Sequence, residues 1–264
     1  MKRTFPHPAP GRRLGLAVAL GALVLLAAPA RAEVPDIDTL LKKADDVSRG
    51  ESSQGVMVMH IKTKHWERNL EMEVASKGTE KTLMKILSPA KEKGTTTLKV
   101  EDNIWNYLPK VDRTIKVPAS MMSGSWMGSH FTNDDLVKES RYTDDFACAY
   151  VSHPEKVAEG HGVAEYVIDC KPNENAAVVW GKVRIFVDQP SELITKAEFF
   201  DEKGELVRTM TYSEVKEMGG RKLPTVMTLK VADKPEEYTE VIFKEIVFDV
   251  DIPDRTFSLQ ALKR

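Results

Sequence analysis

From His65 to Ser76 the chain alternates with period two: Trp66, Leu70, Met72 and Val74 fall on one face, and Glu67, Asn69, Glu71 and Glu73 on the other. Successive side chains of an extended strand point to opposite sides, so this run makes a sheet with one buried and one wet face. The same period governs nearly everything after residue 55. Strands are expected at 56–64, 65–76, 80–87, 95–101, 103–108, 113–117, 142–153, 163–171, 177–188, 193–201, 205–215, 221–232 and 236–249. Turns are expected at Ser76-Lys77-Gly78, Asp102-Asn103, Glu159-Gly160-His161-Gly162, Glu202-Lys203-Gly204 and Gly219-Gly220. About 13 short strands joined in this way require a mainly β fold with a few helices (α+β): a large curved antiparallel sheet, a sandwich or a barrel. No strand–helix–strand alternation is present, which excludes doubly wound folds.

Two segments escape the alternation. Before the first strand, Ile37, Leu40, Leu41, Ala44 and Val47 recur at spacings of three and four, with Asp36 or Asp38 as cap and Gly50 as stop, which predicts one amphipathic helix. The second runs from Pro118 to Ser140. There Thr132-Asn133-Asp134-Asp135, ahead of Leu136 and Val137, has the form of a capping box with an acidic fourth residue, predicting a short helix over 133–139. Upstream, Met121, Met122, Trp126, Met127 and Phe131 are interleaved with Ser and Gly. Loops seldom carry so many large apolar side chains without a surface to cover. Residues 118–131 are therefore expected to form a movable cover over an apolar face, with Gly124 and Gly128 letting it shift. Trp66, Leu70, Met72 and Val74 are expected to form part of the opposing wall. Methionine occurs 11 times, and its flexible thioether suits irregular, promiscuous apolar sites.

Residues 1–32 read as a secretory signal peptide. Lys2, Arg3, Arg12 and Arg13 make a basic start, Leu14 to Ala28 an apolar run, and Ala30-Arg31-Ala32 the small-residue cleavage site. The run of about 15 residues falls short of the ~20 that span a bilayer. Cleavage before Glu33 leaves residues 33–264 as a single domain, with no cysteine near its start to carry a lipid anchor, and places it in the periplasm. Losing five basic residues leaves 33 Lys+Arg against 40 Asp+Glu, a net charge of −7, which argues against nucleic acid as partner. In an exported chain the two cysteines, Cys148 and Cys170, suggest a disulfide. A hairpin turning at 160–162 sets them close to opposite one another on adjacent strands, within reach of a bridge.

Catalytic and metal-binding patterns do not emerge. Gly124-Ser125-Trp126-Met127-Gly128 has its serine one place too early for a nucleophile elbow. The mature histidines, His60, His65, His130, His153 and His161, show no ligand spacing. Asp134-Asp135 and Asp144-Asp145 lack the oxygen spacing of a calcium loop, and no glycine loop could cradle phosphate. No catalytic residue, metal site or cofactor is expected, and the chain does not read as an enzyme.

Several motifs resemble the outer-membrane lipoprotein-sorting proteins, the LolA/LolB-like superfamily, and within it a less characterised periplasmic branch. They are Leu87-Ser88-Pro89, Lys93-Gly94-Thr95, Ile104-Trp105-Asn106-Tyr107-Leu108-Pro109, Ser125-Trp126-Met127-Gly128-Ser129, Asp134-Asp135-Leu136, the Asp201-Glu202-Lys203-Gly204 hairpin, and the ending with Phe257, Leu259 and Leu262. The resemblance implies an incomplete β-barrel whose concave apolar face is covered by helices or a lid and receives acyl chains. It implies lipoproteins or other envelope lipids as partners, with transient contact to membrane complexes such as an inner-membrane exporter. The alternative it allows is a lipid-sensing or exporter-accessory module. No residue here matches the lid arginine of the family's soluble carrier.

Overall fold

The computed structural model describes Met1 and residues 34–133, 135, 142–152, 165–174, 176 and 178–263. Residues 1–34 and 35–264 are separate units, and every described helix and strand belongs to the second. The expected signal peptide, most of the helix expected at 133–139 and the turn at 159–162 lie outside the described residues.

The predicted N-terminal helix is present as α1 (Ile37–Arg49). Asp36 caps it, its carboxylate accepting the Thr39 N–H at 3.0 Å, and Gly50 ends it at a φ of 67°. Its buried stripe is Leu40, Leu41 and Ala44. Six strands come next: β1 (Ser52–Lys62), β2 (Glu67–Lys77), β3 (Lys81–Ser88), β4 (Thr96–Val100), β5 (Asn103–Leu108) and β6 (Arg113–Lys116). After the insert come one helical turn, α2 (Tyr142–Asp145), then β7 (Phe146–Ser152) and β8 (Glu165–Pro172). The chain ends with β9 (Lys182–Asp188), β10 (Ile194–Phe200), β11 (Leu206–Met218), β12 (Arg221–Val231), β13 (Tyr238–Phe248) and two turns of 3-10 helix.

These thirteen strands form one antiparallel sheet in the order β6-β5-β4-β3-β2-β1-β13-β12-β11-β10-β9-β8-β7. The chain starts in the middle of the sheet and zigzags out to β6. It then crosses through residues 117–145 to the opposite edge and zigzags back until β13 lies beside β1, with Ser53 opposite Phe248 and Lys62 opposite Tyr238. Among the described residues β6 and β7 do not pair, so the barrel is incomplete, as expected. The insert is the connection between its two open edges. At the seam, β1 and β13 approach so closely that a Cβ on Gly55 would lie 2.2 Å from the Glu245 carbonyl oxygen, so only glycine fits.

On one face, Ile61, Leu70, Met72, Ile86, Ile185 and Leu229 form the main core with Leu40 and Leu41 of α1. The opposite face of β2–β5 is covered by the C-terminal segment, where Ile252, Phe257 and Leu262 pack on Ala75 and Leu98. Covered on both sides, β4 buries four consecutive residues, Thr96 to Lys99. Of the three C-terminal family residues, Phe257 and Leu262 are buried while Leu259 is exposed.

Several strand boundaries differ from the expected ones, three of them for local reasons seen in the hydrogen bonds. β1 begins four residues before Val56 because Ser53 pairs across to Ser76, their hydroxyls 2.8 Å apart. β2 begins after Trp66 because the Thr63 hydroxyl accepts the N–H groups of His65 and Trp66, at 3.3 and 3.1 Å, and holds a turn there. The strand expected from 142 opens as α2, and the Asn173 N–H and side-chain amide satisfy the carbonyls of Asp145 and Asp144. Cys148 and Cys170 stand directly opposite on β7 and β8 and are disulfide-bonded.

Candidate functional site: a methionine-walled cavity under a pinned loop

The main face of the sheet borders a cavity of about 420 Å³. Six of the eleven methionines stand in its wall: Met57 and Met59 of β1, Met72 of β2, Met84 of β3, Met210 of β11 and Met227 of β12. Successive inward positions on adjacent strands bring them together. Val74, Val241, Phe243 and Phe199 complete much of the apolar surface, and Trp126 and Phe131 reach it from the insert. Unbranched thioethers can rearrange around chains of varying shape, so this wall suits flexible apolar ligands.

The insert's loop has its own internal framework. The Trp126 N–H donates to the Phe131 carbonyl at 2.8 Å, the Asn133 N–H to the Gly124 carbonyl at 2.9 Å, and the buried Ser129 hydroxyl to the Trp126 carbonyl at 2.7 Å. The capping box read from the sequence is present: the Thr132 N–H donates to the Asp135 carboxylate at 2.8 Å, and the Asp135 N–H to the Thr132 hydroxyl at 3.1 Å.

Four strands and flanking turns hold this loop over the cavity. Trp126 Nε1 donates to the Thr97 hydroxyl of β4 at 3.1 Å. Arg68 of β2 donates to the Met127 carbonyl, and its other terminal nitrogen pairs with Glu92 at 3.3 Å. The His130 N–H donates to the Thr239 hydroxyl of β13 at 3.0 Å. That hydroxyl also lies 2.8 Å from His130 Nδ1, while Nε2 lies 3.2 Å from Glu237. The Glu237 carboxylate, held below its ordinary value first by the Lys64 N–H and then by His130, can only accept, so Nε2 donates to it. The fourth anchor is Arg208 of β11, which donates from both terminal nitrogens to Asp135 at 2.7 Å each.

Arg208 belongs to a polar end of the cavity. It is buried, and its guanidinium lies 4.3 Å from the Trp180 ring centre and 4.4 Å from that of Phe199. Arg49 of α1 pairs with Asp45 through two hydrogen bonds of 3.0 Å. Burial alone would raise the Asp135 carboxyl, but the hydrogen bonds and charge of Arg208, with the Thr132 N–H, outweigh it and hold the group below its ordinary value. Burial pushes the Tyr142 phenol up to about 12 and the Tyr212 phenol well above 10, so both stay neutral donors.

Of the expected cavity residues, Met72, Val74, Trp126 and Phe131 line this space. Leu70 is fully buried in the adjoining core, and Met127 is half-buried against it. Met121 is exposed and Met122 half-buried, and neither lines the cavity. Trp66 is exposed in the turn before β2, stacked on Arg68 at 5.0 Å. Sequence reasoning missed the wall formed by β1, β11 and β12, and it missed Arg68 and Arg208. An arginine among inward-facing positions of β11, in step with Met210 and Tyr212, was the available signal. Among the described residues no cluster of three or more His, Cys, Asp or Glu could hold a metal ion, and no helix is long and apolar enough to cross a membrane.

The model of a family described as "Uncharacterized protein" matches residues 78–264. No curated protein matches the chain. Several solved structures share the fold. A DUF1329 family protein from Desulfovibrio piger is 21% identical with a TM-score of 0.74, over 85% of this chain and 96% of its own. A LolA superfamily protein from Nitrosomonas europaea is 23% identical with a TM-score of 0.70, over 86% and 100%. A Vibrio parahaemolyticus domain described as an outer membrane lipoprotein-sorting protein is 21% identical with a TM-score of 0.68, over 85% and 100%. At these identities the likeness is one of fold, and the fold is that of the LolA superfamily.

Proposed function

This chain belongs to the family whose model spans residues 78–264, and from that membership, the LolA-superfamily fold and the methionine-walled cavity, we propose that it is a non-enzymatic periplasmic carrier for the acyl chains of lipoproteins or other envelope lipids. The cavity carries the reading: a largely apolar space inside an incomplete barrel, with a loop fixed across it by polar contacts at its rim. Each buried methylene contributes about 0.8 kcal/mol, so a short stretch of acyl chain binds usefully yet reversibly.

Two observations support export. The first 32 residues have the layout of a cleavable secretory signal, and a disulfide between Cys148 and Cys170 suits an oxidising compartment. Residues 118–131 act as the cover, with Trp126 and Phe131 facing the ligand and Met127 backing them. Delivery to or from a membrane complex would require the rim contacts of this loop to open.

Native mass spectrometry of the protein purified from its envelope, followed by lipid extraction, tests the proposal. Co-purified lipid or acylated protein is the expected result. An empty cavity together with a stable protein partner would instead support a sensing or exporter-accessory module, and turnover of a lipid ester would identify an enzyme.

A further inference from the structure

At one end of the sheet the turns 63–66, 89–95 and 109–112 join β1 to β2, β3 to β4 and β5 to β6. They form one continuous surface. Arg68 of β2, just past the first turn, pairs with Glu92 of the second at 3.3 Å, and a Cβ on Gly94 would lie 3.4 Å from Pro109 of the third. Five exposed cations stand on this surface: Lys64, Lys91, Lys93, Lys110 and, at the start of β6, Arg113. Among the described residues none of the five has an ion-pair partner. The carboxylates beside them are already matched, Glu67 by Lys62 at 3.5 Å, Glu92 by Arg68, and Asp112 by Lys263 at 2.8 Å. Two large apolar side chains share the surface, Trp66 at 42% exposed and Val111 at 59%.

This run of unmatched positive charge stands in a chain where Asp and Glu outnumber Lys and Arg, 40 to 38. The turns 201–205 and 232–237 lie at the same end, and each carries three carboxylates to one lysine. The Lys64 N–H meets this acidic side at Glu237, 3.0 Å away. The end is thus divided into a cationic arc and an acidic arc, and a negatively charged partner is drawn to the first alone. Protein interfaces are depleted in lysine, yet four of the five cations are lysines. A point charge on a flexible stem suits mobile lipid headgroups better than a carboxylate fixed in a protein surface. Tryptophan set among lysines is the combination that seats at a membrane–water boundary. We propose that the cationic arc docks the protein on an anionic phospholipid bilayer, with Trp66 in the headgroup layer. Trp66 also adjoins the pinned loop, since a Cβ on Gly128 would lie 3.6 Å from its ring, and Arg68 donates to the Met127 carbonyl. Docking therefore brings that loop to the lipid surface. This goes beyond the carrier reading and does not rest on it.

The test floats the protein purified from the envelope with vesicles of phosphatidylglycerol and phosphatidylcholine, and with vesicles of phosphatidylcholine alone. Binding is expected to the anionic vesicles only, and it should fall as salt screens the charges. Lys91→Gln with Lys93→Gln should weaken partitioning about 25-fold, at about fivefold for each lysine near an anionic surface. Lys203→Gln with Lys234→Gln makes the same change in net charge on the acidic arc and should leave partitioning nearly unchanged. Brominated phospholipid should quench part of the native tryptophan fluorescence, and Trp66→Phe should remove that part. All of these side chains are exposed, so the sheet signal in circular dichroism should persist in every variant. Equal binding to both kinds of vesicle, or equal loss from the two double variants, overturns the inference. Absence of vesicle binding overturns it too, and leaves an acidic protein surface as the occupant. Quenching unaltered in Trp66→Phe overturns the placement of that ring in the headgroup layer. None of these results bears on the cavity, so the carrier reading stands or falls by lipid extraction alone.

Discussion

Arg208 and Asp135 lie 73 residues apart in the chain and meet through two hydrogen bonds of 2.7 Å each, joining the inner face of β11 to the loop that carries Trp126 and Phe131. The pair sets the position of one end of the loop. Its burial also makes each partner dependent on the other.

Asp135→Asn should therefore destabilise the protein by about 3 kcal/mol in equilibrium urea unfolding, because it leaves the Arg208 cation buried without a counter-charge. Replacing both residues, Arg208→Met with Asp135→Leu, should recover most of that loss. If the double variant is as unstable as the single one, the pair contributes more than mutual charge compensation.

The same pair predicts an acid limb of stability. The Asp135 carboxyl is held below its ordinary value of 3.8 in the folded protein. A depressed carboxyl contributes stability that is complete above the unfolded value and is lost as pH falls through the folded one. Unfolding midpoints should thus be unaffected by this group near neutrality and fall below about pH 4, with a shallower fall in Asp135→Asn, as measured by urea titration across the acid range.

Reducing the Cys148–Cys170 bridge, or replacing both cysteines by serine, should cost about 3 kcal/mol for a loop closed over 22 residues in the chain-entropy model. Peptide mapping without reductant should recover the two cysteines as one linked species. Recovery of both as alkylated thiols would contradict the bridge.

Trp126→Asp addresses the cover. Trp126 is buried and bonded to Thr97 at the rim, so the substitution should loosen the loop while leaving the β-sheet signal in circular dichroism intact. Binding of a fluorescent fatty-acid probe should weaken. Loss of the sheet signal would show that Trp126 is core, and unchanged probe affinity would remove the loop from the binding site.

Filling the cavity separates its volume from its chemistry. Val74→Phe adds bulk at a position that lines the space. It should reduce the capacity for a long-chain probe more than for a short one, with less loss of stability than the 1–3 kcal/mol usual for overpacking a filled core, because the room already exists. Isothermal titration with probes of graded chain length would show the difference.

Local physics wrote much of this architecture into the sequence. The Asp36 cap, the three-and-four spacing of Leu40, Leu41 and Ala44, and Gly50 fix α1 without reference to any other element. Alternation locates the strands, and the Gly219-Gly220 turn, with φ of 58° and 75°, joins β11 to β12 because only a residue without a Cβ adopts such angles freely. The Thr132–Asp135 box and the cross-strand cysteines are legible for the same reason, since partners a few residues apart, or opposite across one hairpin, leave a spacing in the sequence. The pairing of β1 with β13 does not, because its hydrogen bonds are between backbone groups that every residue carries and its register depends on strands nearly the whole domain apart. Period two also separates the two sides of a strand without saying what covers each. Met72 and Ala75 sit on opposite faces of β2, one against the cavity and the other under the C-terminal segment, and only the closing of the sheet decided between them. The meeting of Arg208 with Asp135 is of the same kind: a charge in a strand pattern looks solvated until tertiary structure brings its counter-charge to it and excludes the water.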